Sequence, residues 1–144
     1  MNRRLATLGA LFLVGTLASA CGSDSGTGTN GPPTVTSVAG TWTLTSVDGR
    51  PLPYVYQASD PKLELIAKQY VITSTGSYTS SYTLRGTELD GTVNTSNIND
   101  AGTTTLSGNT VSFTSSTDAS VFFGEATPST ITISGAVTQV YTKQ

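Results

Sequence analysis

The chain has 144 residues, 36% of them apolar, with seven basic and nine acidic side chains, one cysteine and no histidine. Without histidine there is no imidazole base for a catalytic triad and no histidine-ligated zinc, and a lone cysteine cannot form an internal disulfide. No basic cluster occurs anywhere, so nucleic acid is not an expected partner.

The first residues, Met1-Asn2-Arg3-Arg4, are positively charged. An uncharged stretch, Leu5 to Leu17, follows, and small residues Ala18-Ser19-Ala20 lead directly to Cys21. This order of charged, apolar and small residues is that of a secretory signal, and the apolar run falls short of the ~20 residues needed to cross a membrane. The run Leu17-Ala18-Ser19-Ala20-Cys21 resembles the lipobox of bacterial lipoproteins, with the leucine one place further from the cysteine than usual. The resemblance implies a signal peptide over residues 1–20, and a mature chain that begins at Cys21 with a thioether-linked diacylglycerol and further acyl chains such as palmitate. Each buried methylene contributes ~0.8 kcal/mol to such anchoring. Loss of Arg3 and Arg4 would leave five basic against nine acidic side chains, a net charge of −4. No polybasic patch then remains, so the membrane partner is held through the acyl chains on Cys21 alone. Gly22 follows the cysteine, where enterobacterial lipoproteins kept in the inner membrane have Asp. The resemblance therefore implies a lipid anchor in the cell envelope, on the outer membrane facing the periplasm if the host has one.

Residues 21–39 form the next unit. Gly22 to Ala39 is rich in Gly, Ser and Thr and nearly free of bulky apolar residues, so it is expected to be a disordered tether, stiffened locally at Pro32-Pro33. Its typical span is ~20–25 Å by random-coil scaling.

Residues 40–144 are expected to fold as one all-β domain. Gly40 to Val47 alternates Trp42 and Leu44 with threonines, and Asp48-Gly49 matches a type I′ hairpin turn. Leu52 to Gln57 is a short strand or an irregular edge, restricted by Pro51 and Pro53. Ala58 to Pro61 reads as a loop. In Lys62 to Thr75 the first half is open between a helical turn and a strand, whereas Gln69 to Thr73 is β-like. Ser77 to Arg85 places Tyr78, Tyr82 and Leu84 on one face. Glu88 to Thr95 contains a second Asp-Gly, and Asn97 to Asp100 reads as a loop. Gly102 to Thr114 is the clearest hairpin, turning at Ser107-Gly108-Asn109. Ala119 to Gly124, Thr130 to Ser134 and Val137 to Lys143 complete eight to ten strands. Tight sequential turns favour an antiparallel meander closing into a barrel of about eight strands.

The opening Gly40-Thr41-Trp42 is similar to the Gly-x-Trp signature of lipocalins and lipocalin-like barrels. In those proteins the tryptophan closes one end and a basic residue of the last strand stacks on it. Lys143 in Val140-Tyr141-Thr142-Lys143 is the matching position, so Trp42 and Lys143 are an expected barrel-closing pair. The run GTWTLTSVDGRPLP also resembles the opening of small lipocalin-like domains of bacterial lipoproteins. A second resemblance is to META-type envelope domains, which open with a Trp-x-Leu strand, a Gly-containing turn and Pro-Leu.

Residues that could carry chemistry are few. No serine stands in a Gly-x-Ser-x-Gly motif. Glu88 and Asp90 suit an acid/base pair or a weak calcium site less well than a solvated hairpin end, and Asn97, Asn99 and Asp100 are loop formers before they are calcium ligands. Asn94-Thr95-Ser96 is an idle glycosylation match in a bacterial chain. No catalytic residue, metal or cofactor is therefore expected. Of the adjacent pair Phe122-Phe123, one ring must face outward. The expected inward residues Trp42, Leu44, Tyr82, Leu84, Val111, Phe113, Ile131 and Ile133 are nearly all large. They favour a packed barrel with a non-catalytic structural or interaction role beside an envelope protein partner. The alternative is a binding module for a small apolar ligand such as a lipid.

Overall fold

The structure, a computed structural model, describes residues 36–144. The expected signal segment, Cys21 and the linker up to residue 35 lie outside them. Ten strands make one antiparallel sheet: β1 (Gly40–Val47), β2 (Arg50–Pro51), β3 (Tyr54–Gln57), β4 (Lys62–Ile72), β5 (Ser77–Thr87), β6 (Val93–Ser107), β7 (Thr110–Ser115), β8 (Val121–Ala126), β9 (Thr130–Ile133) and β10 (Gln139–Lys143). Each strand from β4 to β10 pairs with the next, and β10 returns to β1. Pairing of Gly40 to Thr43 with Ile72 to Gln69 joins β1 to β4 and closes a ring of eight strands. Closure removes the free edges that would template aggregation. Every ring strand finds both partners within residues 40–143, so the barrel needs no other part of the chain to complete it.

Alternation decides what fills the ring. In β1 Trp42 and Leu44 are buried, in β7 Val111 and Phe113, in β9 Ile131 and Ile133, with Tyr141 facing them from β10. Tyr70 sits at the centre, its ring 5.1–5.6 Å from the rings of Phe113, Tyr141 and Tyr78. Phe122 stacks on Phe113 at 4.9 Å, while Phe123 faces solvent at 58% exposure. Gly102 is required by close approach: a Cβ there would lie 2.0 Å from the Thr114 carbonyl and 2.7 Å from the Tyr78 ring.

Two expectations change. The helical turn considered for the first half of Lys62 to Thr75 is absent, because β4 runs as strand from Lys62 to Ile72. A bulge between Leu65 and Ala67 shifts the register there. It breaks the period of two that would otherwise mark the strand. The loop expected at Asn97 to Asp100 is the middle of β6. Its turn-forming side chains find cross-strand partners instead, as when the Thr83 hydroxyl donates to Asn97 Oδ1 at 2.8 Å. On the outer face of β4, Glu64 is buried between Lys62 (2.9 Å) and Arg85 (2.8 Å).

Candidate functional site

The two ends of the barrel are built differently. At one end the chain enters and is packed down. Val38, two residues ahead of β1, is buried, and its carbonyl accepts the Trp42 indole N–H at 2.8 Å. Trp42 and Lys143 are cross-strand neighbours in the β1–β10 pair, and the Lys143 ammonium lies 5.2 Å from the indole ring centroid. A cation over an indole face contributes ~0.5–2 kcal/mol. Gly40 makes room for this arrangement: its φ is +135°, and a Cβ there would stand 2.8 Å from Lys143 Cε. The glycine of the Gly-Thr-Trp run is thus the place where the lysine stem crosses the backbone.

The other end is open. Beyond Thr43 and Gln69 strands β1 and β4 part, and β2 and β3 occupy the gap, β2 on β1 and β3 on β4. Asp48 ties this flap to the β9–β10 loop, its carboxylate accepting the Thr138 backbone N–H at 2.8 Å and the Tyr54 hydroxyl at 3.0 Å. Behind the flap lies a cavity of about 420 Å³ walled by Tyr56, Leu63, Leu65, Lys68, Tyr82 and Leu84. Two smaller spaces, about 270 and 250 Å³, adjoin Lys68 toward the β9–β10 loop and toward β6. A groove of about 430 Å³ crosses the outer face of β4 to β6, lined by Val71, Ala101 and short polar side chains such as Thr79, Ser81 and Asn99. The mouth, where apolar walls converge on one charged group, has the chemistry of a ligand site.

Lys68 is that group. It shares a face with Tyr70 and Ile72 along β4, so period-two alternation turns it inward. Its ammonium donates to Gln139 Oε1 at 3.2 Å and lies 5.4 and 5.6 Å from the ring centroids of Tyr70 and Tyr82. Burial pushes its pKa down to about 8, against a smaller upward pull from Asp100. Gln139 also accepts a short hydrogen bond from the Tyr141 hydroxyl, so the lysine, the amide and the aromatic floor form one chain of contacts.

Asp100 lies on the same inner surface of β6. Its carboxylate accepts the hydroxyls of Tyr78, Ser115 and Thr117, each at 2.8 Å. Burial pushes this carboxyl up, but the hydroxyl donors and the Ala101 backbone N–H outweigh it and hold the group below the usual carboxylate range. Tyr78 and Tyr141 are in turn pushed well above the ordinary phenol range, mainly by burial.

The other residues singled out in the sequence are dispersed. Glu88 and Asp90 sit in the β5–β6 turn, where the Glu88 carbonyl and the Asp90 carboxylate accept the Gly91 and Thr92 backbone N–H groups. Ser59 and Lys62, which the sequence reading did not single out, have Ser-x-x-Lys spacing, but Lys62 is committed to Glu64. Among the described residues no three His, Cys, Asp or Glu side chains come together as a metal site. Sequence reasoning missed Lys68 and gave Asp100 to a loop. Counting back in steps of two from Ile72 and Tyr70 would have found the first, and from Leu106, Thr104 and Gly102 the second.

An eight-stranded antiparallel meander, packed at one end and open at the other, is a lipocalin-like barrel. No family model matches the chain, and no curated protein matches it. Among solved structures, a lipocalin-like protein from Bacteroides uniformis ATCC 8492 aligns over 74% of this chain and 97% of its own length, with a TM-score of 0.44 and 13% identity. The assignment of the barrel rests on the strand pairing itself.

Proposed function

We propose that the barrel is a non-catalytic binding module for a small, largely apolar molecule, carried in the cell envelope on acyl chains attached at Cys21. The observation that carries the binding role is the 420 Å³ cavity at the barrel mouth, walled by leucine and tyrosine side chains around one lysine. Its size lies within the ~300–1,000 Å³ of small-molecule sites. The packed barrel favoured by the large inward residues is a fair account of the Trp42 half, where Val111, Phe113, Ile131 and Tyr141 fill the interior. It does not account for the other half, where Tyr82 and Leu84 pack against the core on one side and border open space on the other. The lipobox-like run ending at Cys21 supports the anchor.

Native mass spectrometry of the protein recovered from its own host tests the binding role. One class of small apolar molecule should co-purify, and Leu84→Trp, which fills the cavity, should reduce it. A ligand-free protein that instead enriches one envelope protein would return the barrel to an interaction role. Intact mass tests the anchor: a chain starting at Cys21 and carrying diacylglycerol is expected, and an unmodified Cys21 would refute it.

A further inference from the structure

Closure pairs every ring strand on both sides, but not along its whole length. Strand β6 runs for 15 residues and pairs with β5 from Val93 to Thr103, whereas β7 covers it only from Gly102 onward. The Ser116 backbone N–H takes the Ala101 carbonyl at 2.8 Å. Val93 to Asn99 therefore has β5 on one side and no strand on the other, the longest such run among the described residues. The ladder fixes which backbone groups point to the open side. The Thr104 N–H faces β5, donating to the Gly76 carbonyl, and the Ala101 carbonyl faces away from it. Counting back in steps of two from Ala101, the outward N–H and C=O groups belong to Asn99, Asn97, Thr95 and Val93. Folded proteins blunt an exposed edge with lysine, proline or a bulge. This edge has none of them: residues 92–99 contain no charge and no proline, and the β5–β6 register runs without a shift. Val93 to Asn97 are all exposed.

We propose that this edge docks a second copy of the chain, the two β6 strands pairing antiparallel about a twofold axis at Ser96. Antiparallel ladders set outward residues opposite outward residues. One register uses all of them on both copies: Val93 of each copy stands opposite Asn99 of the other, Thr95 opposite Asn97, and Ser96 opposite itself. The edge is bounded by the β5–β6 turn before Val93 and by Ser116 at Ala101, so a slip of two residues leaves an outward residue of each copy unpaired. Charge also selects this occupant. A neutral edge opposes no like charges when it meets itself, and it offers an acidic or basic segment no opposite charge. The pairing is isologous, so it closes at two copies and does not propagate. Seven residues a side is well short of the ~20–30 of a standard interface, so the dimer is reversible, with a Kd of about 10–100 μM. It leaves the cavity reading of the mouth untouched.

The test uses Pro32 to Gln144, which contains the whole closed ring and no cysteine. Sedimentation velocity from about 5 to 500 μM should show a monomer passing to a dimer and no larger species. Thr95→Pro removes an N–H that faces away from β5, so the barrel keeps its own ladder while the dimer loses a symmetric pair of hydrogen bonds; the Kd should rise about 10- to 100-fold. Circular dichroism confirms that the variant is folded. Register is read by cross-linking. Ser96 opposes itself at a position without ladder bonds, where Cα atoms lie ~4.5 Å apart, within disulfide range. Ser96→Cys should therefore form a disulfide dimer under mild oxidation. Asn94→Cys, equally exposed but about 13 Å from its own copy in this register, should not. A monomer throughout the concentration range overturns the proposal, as does a dimer that Thr95→Pro leaves intact. Cross-linking through Asn94→Cys as fast as through Ser96→Cys overturns the register and with it the twofold at Ser96.

Discussion

Removing Asp100 should expose how much of the barrel hangs on one inward carboxylate. In Asp100→Ala, the Tyr78 and Ser115 hydroxyls lose their acceptor, and these residues are 2% and 5% exposed. Each buried orphaned hydroxyl costs about 1–3 kcal/mol, whereas the exposed Thr117 hydroxyl turns to water. Ser115 Oγ still accepts the Thr117 backbone N–H at 3.0 Å, so its loss lies at the lower end. The sum is about 2–4 kcal/mol, which for a domain of this size lowers Tm by roughly 10–20 °C. A second substitution separates this account from general damage to the core. Tyr78→Phe alone leaves the carboxylate one donor short and should cost about 1.5–3 kcal/mol. Made on top of Asp100→Ala, the same change removes an orphan and should cost nothing or restore stability. Urea unfolding at pH 7 gives the four corners of the cycle, with an expected coupling above about 1.5 kcal/mol. Additivity within about 0.5 kcal/mol would refute the network. Acid gives an independent check. The Asp100 carboxyl titrates below its ordinary value in the folded state, so its contribution is fully present above the unfolded value near ~3.9 and is lost as pH falls through the folded one. The gap between wild type and Asp100→Ala should therefore narrow in strong acid.

Lys68→Met should stabilise the ligand-free barrel at pH 7 by about 1–3 kcal/mol, because it removes a cation that burial disfavours; destabilisation in urea would mark Lys68 as purely structural. Ala119, at φ +58° in the turn before β8, should gain about 1 kcal/mol on Ala119→Gly, read as a higher urea midpoint at unchanged slope. Lys143→Met should cost about 0.5–1 kcal/mol and shift the Trp42 emission, whereas an unchanged spectrum would mean the ammonium does not sit on the indole.

Most of the ring was legible because its strands largely follow a period of two, although β1 itself is irregular between Leu44 and Ser46. Gly40–Val47 and the hairpin through Ser107-Gly108-Asn109 match their expected places, and Asp48-Gly49 turns with φ of +50° and +73°. Legibility failed where a second rule masked the first. The bulge between Leu65 and Ala67 breaks the alternation there, so Leu63, Leu65 and Ile66 do not read as a strand with a period of two. In β6 the run Asn97 to Asp100 has turn-forming composition, yet tertiary partners override propensity: Asn97 serves Thr83, and Asp100 serves hydroxyls from β5, β7 and the turn after β7. The pairing of Lys68 with Gln139 joins residues 71 apart, and only closure of the ring brings them together. Both sides of the candidate site thus depend on long-range pairing, whereas the packed end is announced locally by Gly40, Trp42 and the alternation around them.

The inner surface divides between two uses along a single lattice of inward positions. Toward Trp42 those positions carry Leu44, Val111, Ile131 and Ala126, all buried and apolar, and their burial drives folding. Toward the mouth the same alternation carries Lys68, Ser80, Asp100 and Gln139, groups that add no hydrophobic stabilisation and lose hydration when buried. Tyr70, Tyr78 and Tyr141 stand at the boundary, each with an apolar ring packed into the core; the Tyr78 and Tyr141 hydroxyls bond to the Asp100 and Gln139 side chains. If folding alone set these positions, the mouth would be lined like the packed end, because leucine or phenylalanine would close the 420 Å³ that now stands open. Neither Lys68 nor Asp100 has an ion-pair partner among the described residues, but Asp100 accepts three hydroxyls whereas Lys68 meets one amide oxygen. That asymmetry makes Asp100 a fixed support for the aromatic floor, whereas Lys68 stands at the edge of the open space with a single side-chain acceptor, Gln139.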